Sequence, residues 1–487
     1  MRFPLAKNPE QKGPWTELKV HAGAVSIIAT TLLWTDPNTT LVLGGVTMFL
    51  VYALLGFREA QKAPLWLTPL SFYFFWYCIG LGVSPLYVGL TTDLGETVRF
   101  ASERSAVGLS DLAGGYVLFL VGAVVVHAGI QLLRPHETRR SHGNEKHLIG
   151  WLLVVWIIGL LFQLRPGYVS FLGGANRIFA VALVGATCAF AVTPRHRFGL
   201  SRLTFMLILV LATAGLFFGN LASGSKAYIM FSFLPIFWFF IIRPRLRIWM
   251  APFALCLGLF YLGIVAPVVH TARQRPVLEG EDPRAHLVET FNKWSQEKQN
   301  PLNESFLAEQ LDQFINRQFD AVPVGFFVGE VKHGGLLWGE TMQYASYSFI
   351  PRIIWPDKPT VTRGGWFSTY LGLFQLESDA TTAIGMTAVG ELYWNFGTIG
   401  VVAGMFLIGL GQGLLWRTAG TDPREQPVHM LLYVSTVLGM SDMPEAVTVF
   451  VAIVLSFLTF KAAIVAFETV SHRKRSESMK PRFSIAR

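Results

Sequence analysis

The chain has 487 residues, of which 52% are hydrophobic and 15% charged, where an ordinary soluble domain carries about 25% charged residues. That shortfall excludes a soluble globular domain and points to a chain solvated by lipid. The formal net charge of +9 is scattered over many short connections, so it does not mark a nucleic-acid-binding surface.

The first 19 residues are polar, with Lys7, Lys12 and Lys19 among them. A cleavable signal peptide needs an apolar core close to the start, so none is expected. A membrane-spanning helix needs roughly 20 mostly apolar residues. Twelve stretches answer to that in outline: 20–35, 39–57, 66–90, 112–133, 148–164, 175–192, 203–221, 226–242, 248–268, 389–416, 428–440 and 446–467. The eleventh is the shortest. An all-α polytopic membrane protein of about 12 transmembrane helices is therefore expected. Cys78, Cys188 and Cys256 all lie inside apolar stretches, which leaves no disulfide framework to read.

Cytoplasmic loops of membrane proteins collect Lys and Arg. Counting from a cytoplasmic start, every even-numbered connection is basic, from Arg58 and Lys62 through Arg134, Arg195, Arg243 and Arg417 to the tail at Arg473 and Lys474. Short odd-numbered connections such as Asp36-Pro37-Asn38 are not. Both termini are thus expected in the cytoplasm. The expected divisions are helices one to nine over 1–268, an extracytoplasmic loop over 269–388, helices ten to twelve over 389–467, and a basic cytoplasmic tail over 468–487.

The loop is too long for a passive connection, and such loops are usually functional. Within it, Leu307, Leu311, Phe314 and Ile315 recur at helical spacing between Glu304 and Asp320, so an amphipathic helix is expected. Gly334-Gly335 and Gly364-Gly365 mark turns. The loop carries ten cations, among them Arg273, Arg275, Lys293, Arg317, Lys332, Arg352 and Lys358. Cations at a headgroup boundary suit a phosphate ligand, which Arg grips bidentately; ordinary anionic lipid headgroups would be held the same way. Arg317 and Asp320, three apart, read as a surface ion pair or as part of a site. Lys226 ends the turn Ser223-Gly224-Ser225 and opens the eighth stretch, where an anion at a helix start and a snorkelling lysine are both open.

The chain turns on the stretch from Ser348 to Gly404. Its first part, S-F-I-P-R-I-I-W-P-D-K-P, cannot span a membrane, because Pro351, Pro356 and Pro359 each remove a backbone donor. Its second part, G-E-L-Y-W-N-F-G-T-I-G, opens a long apolar helix on Glu391. A helix N-terminus favours the ionised carboxylate that a general base needs, although a first-turn glutamate also helps a helix start. Asn395 follows one turn on, and Gly400-x-x-x-Gly404 reads as a close helix-packing motif. Glu330 and His333 are further proton-transfer candidates. No H-E-x-x-H, paired-cysteine, Walker or D-x-D motif occurs, so neither a metal nor another cofactor is expected.

With the long outer loop, S-G-S-K-A, I-N-R-Q-F-D, I-P-R-I-I-W-P-D-K-P and G-E-L-Y-W-N-F-G-T-I-G, the chain resembles the bacterial oligosaccharide repeat-unit polymerases, the Wzy group of O-antigen and exopolysaccharide polymerases. The resemblance is sharp over about 310–405 and topological elsewhere. It implies a glycosyltransferase of GT-C-like architecture in the bacterial inner membrane. Such enzymes take a glycan from undecaprenyl diphosphate on the periplasmic face and pass it to the next lipid-linked repeat unit. It further implies a metal-independent site in which Arg317, Arg352, Lys358 and Lys226, with Arg273 and Arg275, hold the diphosphate, and Glu391 or Asp320 serves as base. Membrane lipids and a chain-length regulator are the other partners it implies. Two readings compete: an O-antigen ligase using the same donor, and a twelve-helix transporter or flippase, which the near absence of charge from mid-helix positions disfavours.

Overall fold

The computed structural model describes residues 15–62, 67–91, 107–135, 148–164, 175–222, 226–243, 245–269, 304–319, 321–343, 363–371, 385–422, 427–440 and 457–466, with short pieces between 285 and 295, near 350–357, at 454–455 and at 468–469. No strand occurs among them. In chain order the helices are α1 (Trp15–Trp34), α2 (Pro37–Lys62), α3 (Pro69–Thr91), α4 (Leu109–Leu133), α5 (Leu148–Leu164), α6 (Ala175–Val192) and α7 (Arg202–Ala222). There follow α8 (Lys226–Phe231), α9 (Leu234–Ile241), α10 (Arg247–Val269), α11 (Glu304–Arg317), α12 (Ala321–Gly334), α13 (Arg363–Tyr370), α14 (Ala388–Ala419), α15 (Met430–Gly439) and α16 (Phe457–Ala466).

The protein is a helical bundle in which α2, α3, α4, α7, α10 and α14 are long and apolar enough to cross a membrane. The other expected spans also fall on helices, but these are shorter or less apolar over the described residues. The eighth stretch is interrupted at Ser232 and Phe233 into α8 and α9, just ahead of Pro235. Local sequence explains the starts. Thr68 Oγ1 accepts from Ser71 N at 2.9 Å and Ser71 Oγ from Thr68 N at 2.7 Å, a reciprocal cap ahead of Pro69 at the first helical position of α3. Asp111 supplies one half of such a cap for α4, its Oδ2 accepting from Gly108 N at 3.0 Å.

The helix pair α4 and α14 forms the spine, in extensive contact along its length. Gly115, Gly122 and Gly129, seven apart, put one small-residue stripe along α4. A methyl on Gly409 of α14 would run into the Val126 carbonyl of α4, and one on Gly129 would sit 2.7 Å from the Phe406 carbonyl. The motif expected to pack helices, Gly400-x-x-x-Gly404, does not lie on this seam: its nearest neighbours are Leu392 and Phe396 of the same helix. Gly409 and Gly413 perform that role, because α14 bends between Leu392 and Gly400 and turns those two glycines onto its own first turns.

The helices α11, α12 and α13 of the long loop gather at one end of the bundle. α12 lies along the start of α4, so close that a methyl on Gly115 would meet the Gly325 backbone. Lys332 of α12 pairs with Asp111. α11 covers the matching end of α3 and α10: Ser84 Oγ donates to Ile315 O at 2.8 Å, Tyr87 bonds Asp312, and Phe314 meets Tyr261 edge-on at 5.7 Å. Both spans relax into a π turn beneath it, Ile79–Val83 in α3 and Tyr261–Val265 in α10. α11 is the expected amphipathic helix, although Leu311 of its apolar face is exposed.

The opposite end is clamped by charge. Arg134 grips Glu59 bidentately at 2.9 Å through each nitrogen, Lys62 reaches the same carboxylate at 3.0 Å and also pairs with Glu17, and the Arg134 guanidinium lies 5.2 Å over the Trp416 ring.

Substituting Gly409 by Ala is expected to lower the thermal transition of the detergent-solubilised protein by an overpacking cost of about 1–3 kcal/mol. Gly258→Ala, where no atom lies within 4 Å of the added methyl, is expected to leave the transition unchanged or raise it. Intrinsic fluorescence during heating reads both.

Candidate functional site

The site is built on a fault in α14. Gly397 adopts φ 65°, ψ −159°, a backbone region open in practice to glycine alone, and it interrupts the helix between Phe396 and Thr398. A helix that breaks leaves the carbonyls of its last turn without amide partners. Here the loop supplies them: Leu337 N donates to Trp394 O at 3.1 Å and Trp338 N to Asn395 O at 2.9 Å. The donating turn is itself tight, with Gly335, Trp338 and Gly339 all at positive φ.

Asn395 locks the two pieces together. It is fully buried, its Oδ1 accepts from Gly339 N at 3.0 Å, and its Nδ2 donates to Thr341 Oγ1 at 2.7 Å and to Glu391 O at 2.8 Å. One side chain therefore ties the broken helix to both sides of the 335–342 turn. Glu391 sits in the first turn of α14, after Thr387 caps Gly390 N at 3.0 Å, and is enclosed at 1% exposure. Its expected position at a helix start is as found, while its carboxyl faces protein rather than bulk water.

Around this fault the loop helices build an aromatic wall. Phe327 of α12 stacks on Trp394 at 4.7 Å and on Phe367 of α13 at 5.1 Å. Tyr370 meets the Trp394 edge at 5.1 Å and stacks near-parallel with Trp366 at 5.5 Å. The Tyr370 hydroxyl donates to Glu330 Oε2 at 3.0 Å. Burial, with that bond to Glu330 added, pushes the Tyr370 phenol from its ordinary 10.0 up to about 12.

Of the other residues expected in the site, Arg273, Arg275, Asp320, Arg352 and Lys358 lie outside the described residues. Arg317 closes α11 and Lys226 opens α8, and only their backbones are described. The structure thus brings Glu391 together with Asn395 and the 335–342 turn. Two loop cations are engaged elsewhere, Lys332 with Asp111 and Lys293 with Glu289 at 3.3 Å. Among the described residues, no group of three or more His, Cys, Asp or Glu could hold a metal ion.

Sequence reasoning missed two features. The first is the role of Asn395, which the pairing of an N-F-G triplet with a distant W-G turn could have signalled. The second is a buried polar chain between α1, α2 and α4. The Gln131 amide nitrogen, which can only donate, lies 3.1 Å from His127 Nε2; His127 Nδ1 is 3.3 Å from His21 Nδ1; and His21 Nε2 is 3.2 Å from the Tyr52 hydroxyl. Read in that order the donors run from Gln131 to Tyr52 with both imidazoles neutral. Its members face one another inside the bundle, so it joins helices rather than opening a site.

No protein-family model, curated protein or solved structure matches the chain.

Asn395→Leu is expected to orphan the Gly339 amide and lower stability by about 1–3 kcal/mol, read as a fall in the thermal transition of the purified protein. The Tyr370 phenol sets an alkaline limit. Its pKa is raised in the fold, so its contribution is complete below pH 10.0 and is lost as pH rises through about 12. Tyr370→Phe is expected to flatten that part of the stability profile, measured by thermal scans across the same range.

Proposed function

We propose that the chain is a polysaccharide polymerase of the bacterial inner membrane. It moves a growing glycan from undecaprenyl diphosphate to a hydroxyl of the next lipid-linked repeat unit. The observation that carries this is the fate of the stretch on which the family resemblance is sharpest. G-E-L-Y-W-N-F-G forms the broken start of α14, and the outer loop is fastened to it through Asn395. A motif of that resemblance therefore stands where a polar loop meets an apolar helix, the place where a lipid-borne diphosphate and a water-borne hydroxyl would meet.

The reading has twelve spans in a GT-C-like arrangement, both termini in the cytoplasm and the loop end of the bundle in the periplasm. The acceptor oxygen attacks the anomeric carbon of the donor sugar, a new glycosidic bond forms, and the bond from that carbon to the diphosphate oxygen breaks. The electron pair leaves with the diphosphate, whose growing charge Arg317, Arg352, Lys358, Lys226, Arg273 and Arg275 neutralise without a metal. The hydroxyl proton passes to a carboxylate, Glu391 first and Asp320 second. A chain-length regulator is a further partner in this scheme.

Purified protein given defined lipid-linked repeat units is expected to produce a ladder of products spaced by one unit. Arg352→Ala is expected to abolish the ladder while leaving the amount of folded protein intact. Wild-type chain lengths from that variant would remove Arg352 from the site, and a single transfer to a non-polyprenyl acceptor would make the protein a ligase.

A further inference from the structure

At the end of the bundle where α2 hands over to α3, two connections lie side by side. Trp238 of α9 meets Tyr433 at 6.1 Å, and the Tyr433 hydroxyl donates to Leu67 O at 3.0 Å, just ahead of the α3 cap. Those contacts fix the C-terminus of α9 at this end. Beyond it, Arg243 N donates to Phe240 O at 3.2 Å and Leu246 N to Arg243 O at 2.8 Å, a tight passage into α10. The connection between α6 and α7 packs against the first through rings. Phe198 stacks on Phe190 at 4.9 Å, Phe190 on Phe205 at 4.7 Å, and Phe205 on Phe239 of α9 at 6.4 Å. Residues 193–202 and 242–249 hold six arginines, Arg195, Arg197, Arg202, Arg243, Arg245 and Arg247, and no Asp or Glu.

Arg243 is held in place among them. Its guanidinium lies 3.6 Å over the Phe239 ring and 6.0 Å from the Phe205 ring, and Nη1 donates to Phe239 O at 2.9 Å. Capping α9 in this way uses one of five N–H groups, and Nε and Nη2 have no partner among the described residues. Burial draws the Arg243 pKa from its ordinary 12.5 down to about 10, the mark of a cation desolvated without an anion to offset it. An Nε–Nη2 edge fits two oxygens of a phosphate. The apolar surroundings say what carries that phosphate. Ile248 and Trp249 are exposed, and no residue of α10 from Met250 to Phe260 is buried, so acyl chains have open helix to lie against. The exposed Arg195, Arg202 and Arg245 favour a headgroup of net negative charge, and neither connection offers a carboxylate to an ammonium. We propose that Arg243 seats the phosphate of an anionic phospholipid of the phosphatidylglycerol type, with its acyl chains along α10. Ordinary snorkelling arginines find water on every side; this one is fixed beforehand by ring and carbonyl, so binding costs it little side-chain entropy. The site stands apart from the glycan chemistry and holds whatever the chain catalyses. Its consequence is structural: a lipid gripped there joins α9 to α10, which otherwise meet through Phe253 against Phe237 at 6.2 Å and Phe240 at 5.6 Å.

The test is native mass spectrometry of the full chain released from detergent, with phosphatidylglycerol or phosphatidylethanolamine of matched acyl chains titrated in. The wild type is expected to retain phosphatidylglycerol in preference. Arg243→Lys keeps the charge and loses the fork, and is expected to cut that retention about tenfold, the scale of one charge-assisted hydrogen bond. Arg245→Gln alters an exposed side chain and is expected to cut it about fivefold through the local potential, so the result does not hang on a variant that disturbs the α9 cap. Arg58→Gln, which removes the same charge from an exposed position on α2, is expected to leave it unchanged. Phosphatidylglycerol is also expected to raise the thermal transition of the wild type more than that of Arg243→Lys. Equal retention of the two lipids, retention indifferent to the substitutions at 243 and 245, or an equal loss from Arg58→Gln would overturn the proposal. So would inorganic phosphate that raises the thermal transition as much as the lipid does.

Discussion

A backbone carbonyl in a membrane protein must find a donor within the protein, because lipid offers none and each orphan costs several kcal/mol. The break in α14 at Gly397 creates that need at Trp394 and Asn395, and the 335–342 turn meets it. The rest of the loop end follows from this one accommodation. α12 must lie where its C-terminus can deliver the turn, and Gly115 and Gly325 permit the approach by letting two helix backbones touch. α13 then finds its place against Phe327 and Trp394, and the aromatic wall is complete.

The two ends of the bundle are held by different physics. At the loop end, hydrogen bonds to backbone and stacked rings fix the elements, beside the buried carboxyls of Glu391 and Asp111, the latter paired with Lys332. At the other end, Glu59 gathers Arg134 and Lys62, a network whose bidentate geometry offsets the cost of burying the carboxylate. Between them runs the glycine seam of α4 and α14, where helix association depends on close contact because lipid supplies no hydrophobic drive. A rigid spine with an ionic clamp at one end leaves the other free to carry polar loop elements.

Much of this was legible in the sequence. Apolar runs placed the helices, and α14 was expected over 389–416 against 388–419 as found, because a continuous run of apolar residues leaves few alternatives. The helix at 304–317 followed from its spacing. What stayed hidden depends on contacts far apart in the chain. Gly397 is one of seven glycines in the stretch 389–416, so nothing in that pattern announces that it breaks the helix; the partner turn lies 56 residues away. The same holds for Glu59, which is 75 residues from Arg134 and stands among the basic residues of its own connection. The sequence motif points to Gly400 and Gly404, whereas Gly409 and Gly413 make the contact, because the register follows from the bend and the bend is a tertiary event.

This fault and its fastening are the structural centre of the account, and the proposed chemistry is laid over them. Hydrogen exchange tests it most directly, read by mass spectrometry on short peptides covering residues 336–340 of the intact protein in nanodiscs. Three amides there, those of Leu337, Trp338 and Gly339, donate to α14. The account predicts that they exchange as slowly as amides in the middle of α14. Exchange at the rate of an unbonded surface turn would contradict it.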